Sequence, residues 1–268
     1  MNAPAGRPAI RWLAPLVTAA ALAGAGCMVP ERTTVTSNQN EQGDPQRRAQ
    51  VRLELASLYF SRGQHAVALD EVRVALAARP DMAEGFSLRG LIQAAMGESK
   101  LAEESFQRAL QLAPRDADTM HNYGWMLCQT QRYADAETQF QRALAQPQYG
   151  SAGRTLSAQG LCQARQGRLS EAERSLSRAY ELDPANPFIA FNLAEVLLRR
   201  GELERARFYV RRVNSRADQS NAQTLWLAAR IEHKLGNVDG AREWGTRLRE
   251  RFPQSGEALQ FERGRFDD

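Results

Sequence analysis

Ala68, Ala102, Ala136, Ala172, Ala206 and Ala241 recur at intervals of 34, 34, 36, 34 and 35 residues. A fixed period of this length means one small supersecondary unit used over and over. No single unit can bury its apolar face alone, so neighbours must stack into a continuous core. Ala, Leu, Arg, Gln and Glu dominate the chain, and runs of alternating β-branched residues are missing. The predicted fold is therefore all-α, an array of helix pairs that presents a curved groove instead of a single enclosed site.

Placing the recurring alanines at position 20 of a 34-residue unit makes four other positions agree. Position 8 holds Ala56, Gly90, Gly124, Gly160, Ala194 and Ala229, small in every unit. Small residues at 8 and 20 let the two helices of a unit cross closely. Position 15 holds Gly63, Gly97, Gly167, Gly201 and Gly236, with Gln131 the exception; a glycine there ends the first helix in the left-handed conformation. Position 32 holds Pro80, Pro114, Pro184 and Pro253, where the chain turns into the next unit. Position 24 is apolar in five units: Val72, Phe106, Phe140, Leu176 and Val210. This is the pattern of the tetratricopeptide repeat. It predicts a right-handed superhelical solenoid of six helix-turn-helix repeats over residues 48–253, at about 49–82, 83–116, 117–150, 153–186, 187–220 and 222–255. The irregular joint is Pro147-Gln148-Tyr149-Gly150, where two extra residues lengthen a loop or a helix end. Residues 254–268 fit a short capping helix around Leu259, Phe261 and Phe266, with a frayed tail as the alternative.

Residues 1–26 form a separate unit. Arg7 and Arg11 precede an apolar stretch from Trp12 to Ala23, then small residues, which is the layout of a secretory signal and too short for a comfortable membrane span. Gly24-Ala25-Gly26-Cys27 resembles a bacterial lipobox, although Gly24 stands where leucine is usual. Cys27 is thus expected to carry lipid; ordinary cleavage beside an incidental cysteine is the other reading. Met28, not an aspartate, follows, and the resemblance then implies the outer membrane. Several acyl chains anchor firmly at about 0.8 kcal/mol per buried methylene. Residues 27–47 are polar, with Pro30, Gly43 and Pro45, and read as a flexible tether; roughly 20 such residues reach about 25 Å.

The formal charge is +4, and Arg7 and Arg11 lie in the leader, so the rest is close to neutral with acids and bases interleaved. That excludes the concentrated basic face of a nucleic-acid binder. His65, His121 and His233 are scattered, and HExxH, CxxC, GxSxG and Gly-rich phosphate-loop motifs are missing. An enzyme, a metal site, a cofactor and a small-molecule substrate are therefore not expected. Cys128 and Cys162 fall at positions 12 and 10 of stacked helices in repeats three and four. In an oxidising compartment they are candidates for a disulfide, against two small buried hydrophobes.

In this repeat family the first helix of each unit lines the concave face at positions 2, 5, 6, 9, 12 and 13. These hold Leu53, Ser57 and Phe60 in repeat one, and Ser87 and Leu91 in repeat two. Repeat three places His121, Asn122 and Trp125 there, and repeat four Leu161 and Arg165. Repeat five adds Phe188, Phe191, Asn192, Glu195 and Arg199, and repeat six Trp226, Arg230 and His233. Asn122 and Asn192 share position 6, where an amide can hydrogen-bond an extended ligand. Trp125, Phe60 and Phe191 are either peptide anchors or inter-repeat core. The mixed charge does not suggest a carboxylate clamp.

Ala113-Pro114-Arg115-Asp116-Ala117-Asp118, the run Asn122-Tyr123-Gly124-Trp125-Met126-Leu127-Cys128, Phe140, Ala143 and the Pro147-Gln148-Tyr149 joint resemble the PilW/PilF pilotin family of type IV pilus biogenesis and stability proteins. The lipobox, the six repeats and the Phe261–Gly264–Phe266 stretch extend the resemblance over nearly the whole chain. It implies an outer-membrane lipoprotein, on the periplasmic face, that binds the pilus secretin. It further implies that the secretin is helped to localise and oligomerise, supporting piliation and twitching motility. Two rivals stay open: a lipoprotein scaffold for another envelope complex such as peptidoglycan enzymes, and an enzyme with a cryptic site.

Overall fold

The computed structural model describes residues 44–266. The leader, Cys27 and the tether up to residue 43 lie outside the described residues, as do Asp267 and Asp268. The described residues form thirteen helices and no strand. Repeat one is α1 (Pro45–Ser61) and α2 (His65–Ala78), and repeat two α3 (Ala83–Ala95) and α4 (Ser99–Leu112). Repeat three is α5 (Ala117–Gln129) and α6 (Tyr133–Leu144), and repeat four α7 (Ala152–Arg165) and α8 (Leu169–Leu182). Repeat five is α9 (Pro187–Arg199) and α10 (Leu203–Asn214), and repeat six α11 (Ala222–Lys234) and α12 (Val238–Arg251). The cap is α13 (Gly256–Glu262). Each helix packs against its repeat partner, the odd-numbered helices also touch in series, and α13 closes on α11 and α12. None of these helices is long and apolar enough to cross a membrane.

The first helix starts earlier than the sequence suggested. Pro45, read as part of the tether, is the opening residue of α1, and Asp44 caps it by accepting from the Gln46 N–H at 3.0 Å. Proline at the first helical position gives up an N–H that has no partner there anyway, so it starts a helix as readily as it interrupts one.

The turn after each first helix follows from position 15. Gly63, Gly97, Gly167, Gly201 and Gly236 have φ of 73–83°, and Gln131 takes the same left-handed conformation at 62°. The closing bond is the same in both kinds of turn: Gln64 N–H to Tyr59 C=O, and Arg132 N–H to Leu127 C=O, each 2.9 Å.

Positions 8 and 24 fit one another by size. Val72 and Val210 share fully packed clusters with Ala56 and Ala194. The larger Phe106, Phe140 and Leu176 face glycines. A Cβ added to Gly90 would stand 2.8 Å from the Phe106 ring, one on Gly124 2.9 Å from Phe140, and one on Gly160 2.7 Å from Leu176 Cγ. In repeat six position 24 is Gly245, and a Cβ there would overlap the ring of Phe261, which enters from α13. Each crossing is thus filled once, by one large and one small side chain.

Candidate partner groove

Two adjoining cavities open on the first helices of repeats three to six. The larger, about 620 Å³, is lined by His121, Trp125, Ser157, Leu161, Leu182, Phe188 and Ile189 among others. The smaller, about 360 Å³, is lined by Leu161, Arg165, Phe191, Asn192, Glu195, Arg199 and Trp226 among others. Leu161 is common to both, which joins them into one groove. The irregular joint builds one wall. Residues 145–151 all lie in the loop between α6 and α7, with Gln148 at φ 58°, and Tyr149 to Gly153 face the larger cavity. Pockets of a few hundred Å³ with apolar walls and few polar groups are the usual form of a binding cleft.

The polar floor is a chain of hydrogen bonds. His121 Nδ1 lies 2.9 Å from Thr155 Oγ1, and the Tyr149 hydroxyl lies 2.9 Å from the same oxygen. Burial, and secondarily the nearby Arg154 cation, hold the His121 imidazole down at about 4, so it is neutral at pH 7. Arg154 is itself paired with Asp118 at 2.7 Å. The Arg165 guanidinium carbon lies over the Trp125 ring, 4.9 Å from its centre. Ser157, 4% exposed, has a hydroxyl with no hydrogen-bond partner.

The structure brings His121, Trp125 and Phe188 to the larger cavity and Phe191, Asn192 and Arg199 to the smaller. The Asn192 amide donates to its own helix at Phe188 O, 2.7 Å, and Arg199 donates to Ala164 O at 3.2 Å. Asn122 is half-buried and lines neither cavity. The first two repeats contribute nothing to this groove. Leu53 is 2% exposed inside the repeat-one core, which corrects its assignment to the concave surface. Phe60 packs on the same core and against the His65 ring, and Leu91 packs on the core of repeats two and three. Ser57 alone of that group is exposed.

In repeat six, Trp226, Arg230 and His233 are contacted by the chain's own Phe266, while His233 stays exposed and Trp226 also lines the smaller cavity. The Phe266 ring stacks on His233 at 4.0 Å and lies 5.2 Å from Trp226, and Arg230 Nε donates to the Phe266 carbonyl at 3.2 Å. Leu182, Tyr149 and Ser157 were missed from the sequence. Ser157 occupies position 5 of repeat four, one of the concave positions, and the extra residues of the joint point to Tyr149.

Repeats two and three are also tied by polar contacts. Glu103 accepts from the Tyr123 hydroxyl and from Arg132, each at 2.6 Å. Burial pushes the Glu103 carboxyl up, yet these two hydrogen bonds outweigh it and hold it below its ordinary range. Burial, then the bond to Glu103, raise Tyr123 to about 12. Cys128 and Cys162 meet between α5 and α7 with Cα atoms 5.8 Å apart and sulfurs at bonding distance. Among the described residues no three His, Cys, Asp or Glu side chains are grouped to hold a metal ion.

Tetratricopeptide-repeat models match residues 81–148, 127–187 and 163–228. The crystal structure of PilW, described as a widely conserved type IV pilus biogenesis factor, is 30% identical. That match covers 79% of this chain and 97% of PilW, with a TM-score of 0.73. The chain belongs to the PilW family of tetratricopeptide-repeat type IV pilus biogenesis proteins. Type IV pilus assembly protein PilF of Pseudomonas aeruginosa is a further relative, 26% identical over 219 residues, covering 82% of this chain and 86% of PilF. A Pseudomonas aeruginosa PilF structure shares the fold at 24% identity and a TM-score of 0.69, covering 82% of this chain and 99% of that one. Members of the family thus align along nearly the whole array, not over an isolated repeat.

Proposed function

We propose that this protein is a non-enzymatic pilotin-like adaptor. Lipid on Cys27 fixes it to the periplasmic face of the outer membrane, and the groove of repeats three to five holds a segment of the type IV pilus secretin. Binding promotes the secretin's localisation and oligomerisation, and so supports pilus assembly and twitching motility. The observation that carries this reading is the alignment with PilW over 97% of that chain. An anchor supports it physically, because tethering raises the local concentration of a weak groove site to the millimolar range, on the order of 10²–10⁴ in avidity. We further propose that Cys128 and Cys162 are bonded in the oxidising periplasm and lock repeat three to repeat four under the groove.

The test is deletion of the gene together with replacement by Cys27→Ala. Deletion should remove surface pili and heat-resistant secretin multimers together, and Cys27→Ala should leave the array folded while the multimers collect away from the outer membrane. Normal outer-membrane multimers in both strains refute the adaptor. Normal piliation with recovery of peptidoglycan hydrolases by the tagged protein favours the scaffold reading instead.

A further inference from the structure

The larger cavity says what kind of segment it takes. Two large apolar side chains on its wall, Leu182 and Phe188, are each 57% exposed, and Trp125, Leu161 and Ile189 continue the apolar surface between them. A surface of this kind gains by covering a bulky side chain. The polar groups of the lining include both donors and an acceptor. Ser157 offers an unpartnered hydroxyl one turn inside α7, and Ser151 makes no side-chain bond to cap that helix, whose first turn also lines the cavity. The Asp183 carboxylate, in the same lining, accepts from Asn186 Nδ2 at 3.0 Å. An extended peptide backbone supplies both complements, a carbonyl for the first and an N–H for the second.

Among the groups at this cavity that could hold an anion, none is left bare, and the Asp183 carboxylate takes its hydrogen bond from the neutral Asn186 amide. Arg154 is paired with Asp118, Arg165 is laid over Trp125, and the one imidazole is buried against Thr155. The chain also displays a ligand of the same chemistry two repeats away. On α11 the Phe266 ring sits against Trp226 and His233 while its backbone carbonyl takes a hydrogen bond from Arg230.

We propose that the cavity between Trp125 and Phe188 binds an extended, uncharged segment of a partner protein, with an aromatic side chain as its anchor and the backbone read by Ser157 and Asp183. This specifies the groove site of the adaptor reading above and rests on it.

The test uses the purified full chain in detergent and N-acetylated, C-amidated, fluorescein-labelled heptapeptides of Gly and Ser with one central residue. Fluorescence anisotropy should show the Phe peptide binding about tenfold more tightly than the Ala, Glu or Lys versions. Leu182→Arg and Phe188→Ser, both at exposed positions, should each abolish that preference, whereas Val74→Arg on α2 should leave it unchanged. Equal binding of all four peptides overturns the proposal, as does preference for the Glu peptide, which marks an anion site. A Phe preference that survives both cavity variants also overturns it. Co-purification of the secretin with the same wild-type chain separates the two readings: capture of secretin without Phe preference sinks the cavity and spares the adaptor, and Phe preference without capture does the reverse.

Discussion

The reciprocal fit of positions 8 and 24 makes a prediction whose sign depends on background. Gly124→Ala places a methyl 2.9 Å from the Phe140 ring and 3.2 Å from the Ala136 carbonyl, and Phe140 is fully buried. Overpacking of this sort costs about 1–3 kcal/mol. Against it, alanine is better than glycine inside a helix by about 1 kcal/mol. The net expectation is a loss of about 1 kcal/mol. Phe140→Val should cost about 2 kcal/mol through lost burial and a residual cavity. In that background, however, the crossing becomes an alanine-sized pocket facing valine, the combination that Ala56 and Val72 already use in repeat one. Gly124→Ala should then stabilise by about 1 kcal/mol, because only its helix-propensity gain is left. The implied coupling is about 2 kcal/mol, well above the few tenths expected of independent sites. Urea unfolding of the four proteins, followed by fluorescence and by amide exchange in α5 and α6, measures it. Exchange keeps the comparison local, since long arrays need not unfold as one unit. If Gly124→Ala destabilises equally in both backgrounds, size matching at the crossing is not what sets these residues.

His121 is held at about 4, below its ordinary 6.5, so the unfolded chain binds the extra proton first as pH falls. Stability should be unaffected by this group above pH 6.5 and decline by up to about 3 kcal/mol as pH drops from 6.5 to 4. His121→Gln should flatten the urea midpoint over that window, and parallel curves count against the assignment. Gln131 spends about 1 kcal/mol in the left-handed region; Gln131→Gly recovers it less the extra entropy glycine loses, a net gain of about 0.5 kcal/mol in thermal unfolding. Gln131→Val should go the other way. If Cys128 and Cys162 are bonded, closing a 34-residue separation stabilises by about 3–4 kcal/mol on the chain-entropy account. The Cys128→Ser, Cys162→Ser double variant should then lose that much under oxidising conditions and nothing when the comparison is made in excess dithiothreitol.

What could be read from the sequence is what recurs. Positions 8, 15, 20 and 24 each do the same local job in successive units, so Gly63 and Gly201 turn the chain alike and the pattern even marks Gln131 as a residue forced into a glycine's place. The groove is harder because its positions recur while its residue types do not: position 5 holds His121, Ser157 and Phe191, and position 9 holds Trp125 and Leu161. Leu53 and Trp125 were assigned to one surface by similar counting, yet Leu53 is buried in the core and Trp125 lines the cavity. They stand at different positions, 5 and 9, and position 5 is the more buried of the two, as Leu53 beside Ser57 and His121 beside Trp125 show. Leu182 lines the cavity together with Tyr149 to Gly153 of the joint, a grouping that no single-repeat pattern encodes. The tail over Trp226 is of the same kind.

That tail follows from one residue. In repeats one to five the second helix supplies its own side chain to the crossing; in repeat six Gly245 supplies none, and Phe261 of α13 fills the gap. A crossing left empty would lose the contacts of this partly buried ring, so α13 is held where the ring can reach. From there Gly264, at φ 65°, turns the chain back, Phe261 and Phe266 meet edge to face, and Phe266 reaches Trp226 and His233. The glycine that lets the cap into the core therefore also brings the tail over the concave side of α11. The same tail packs on α11, while Trp226 of that helix still lines the smaller cavity together with Phe191.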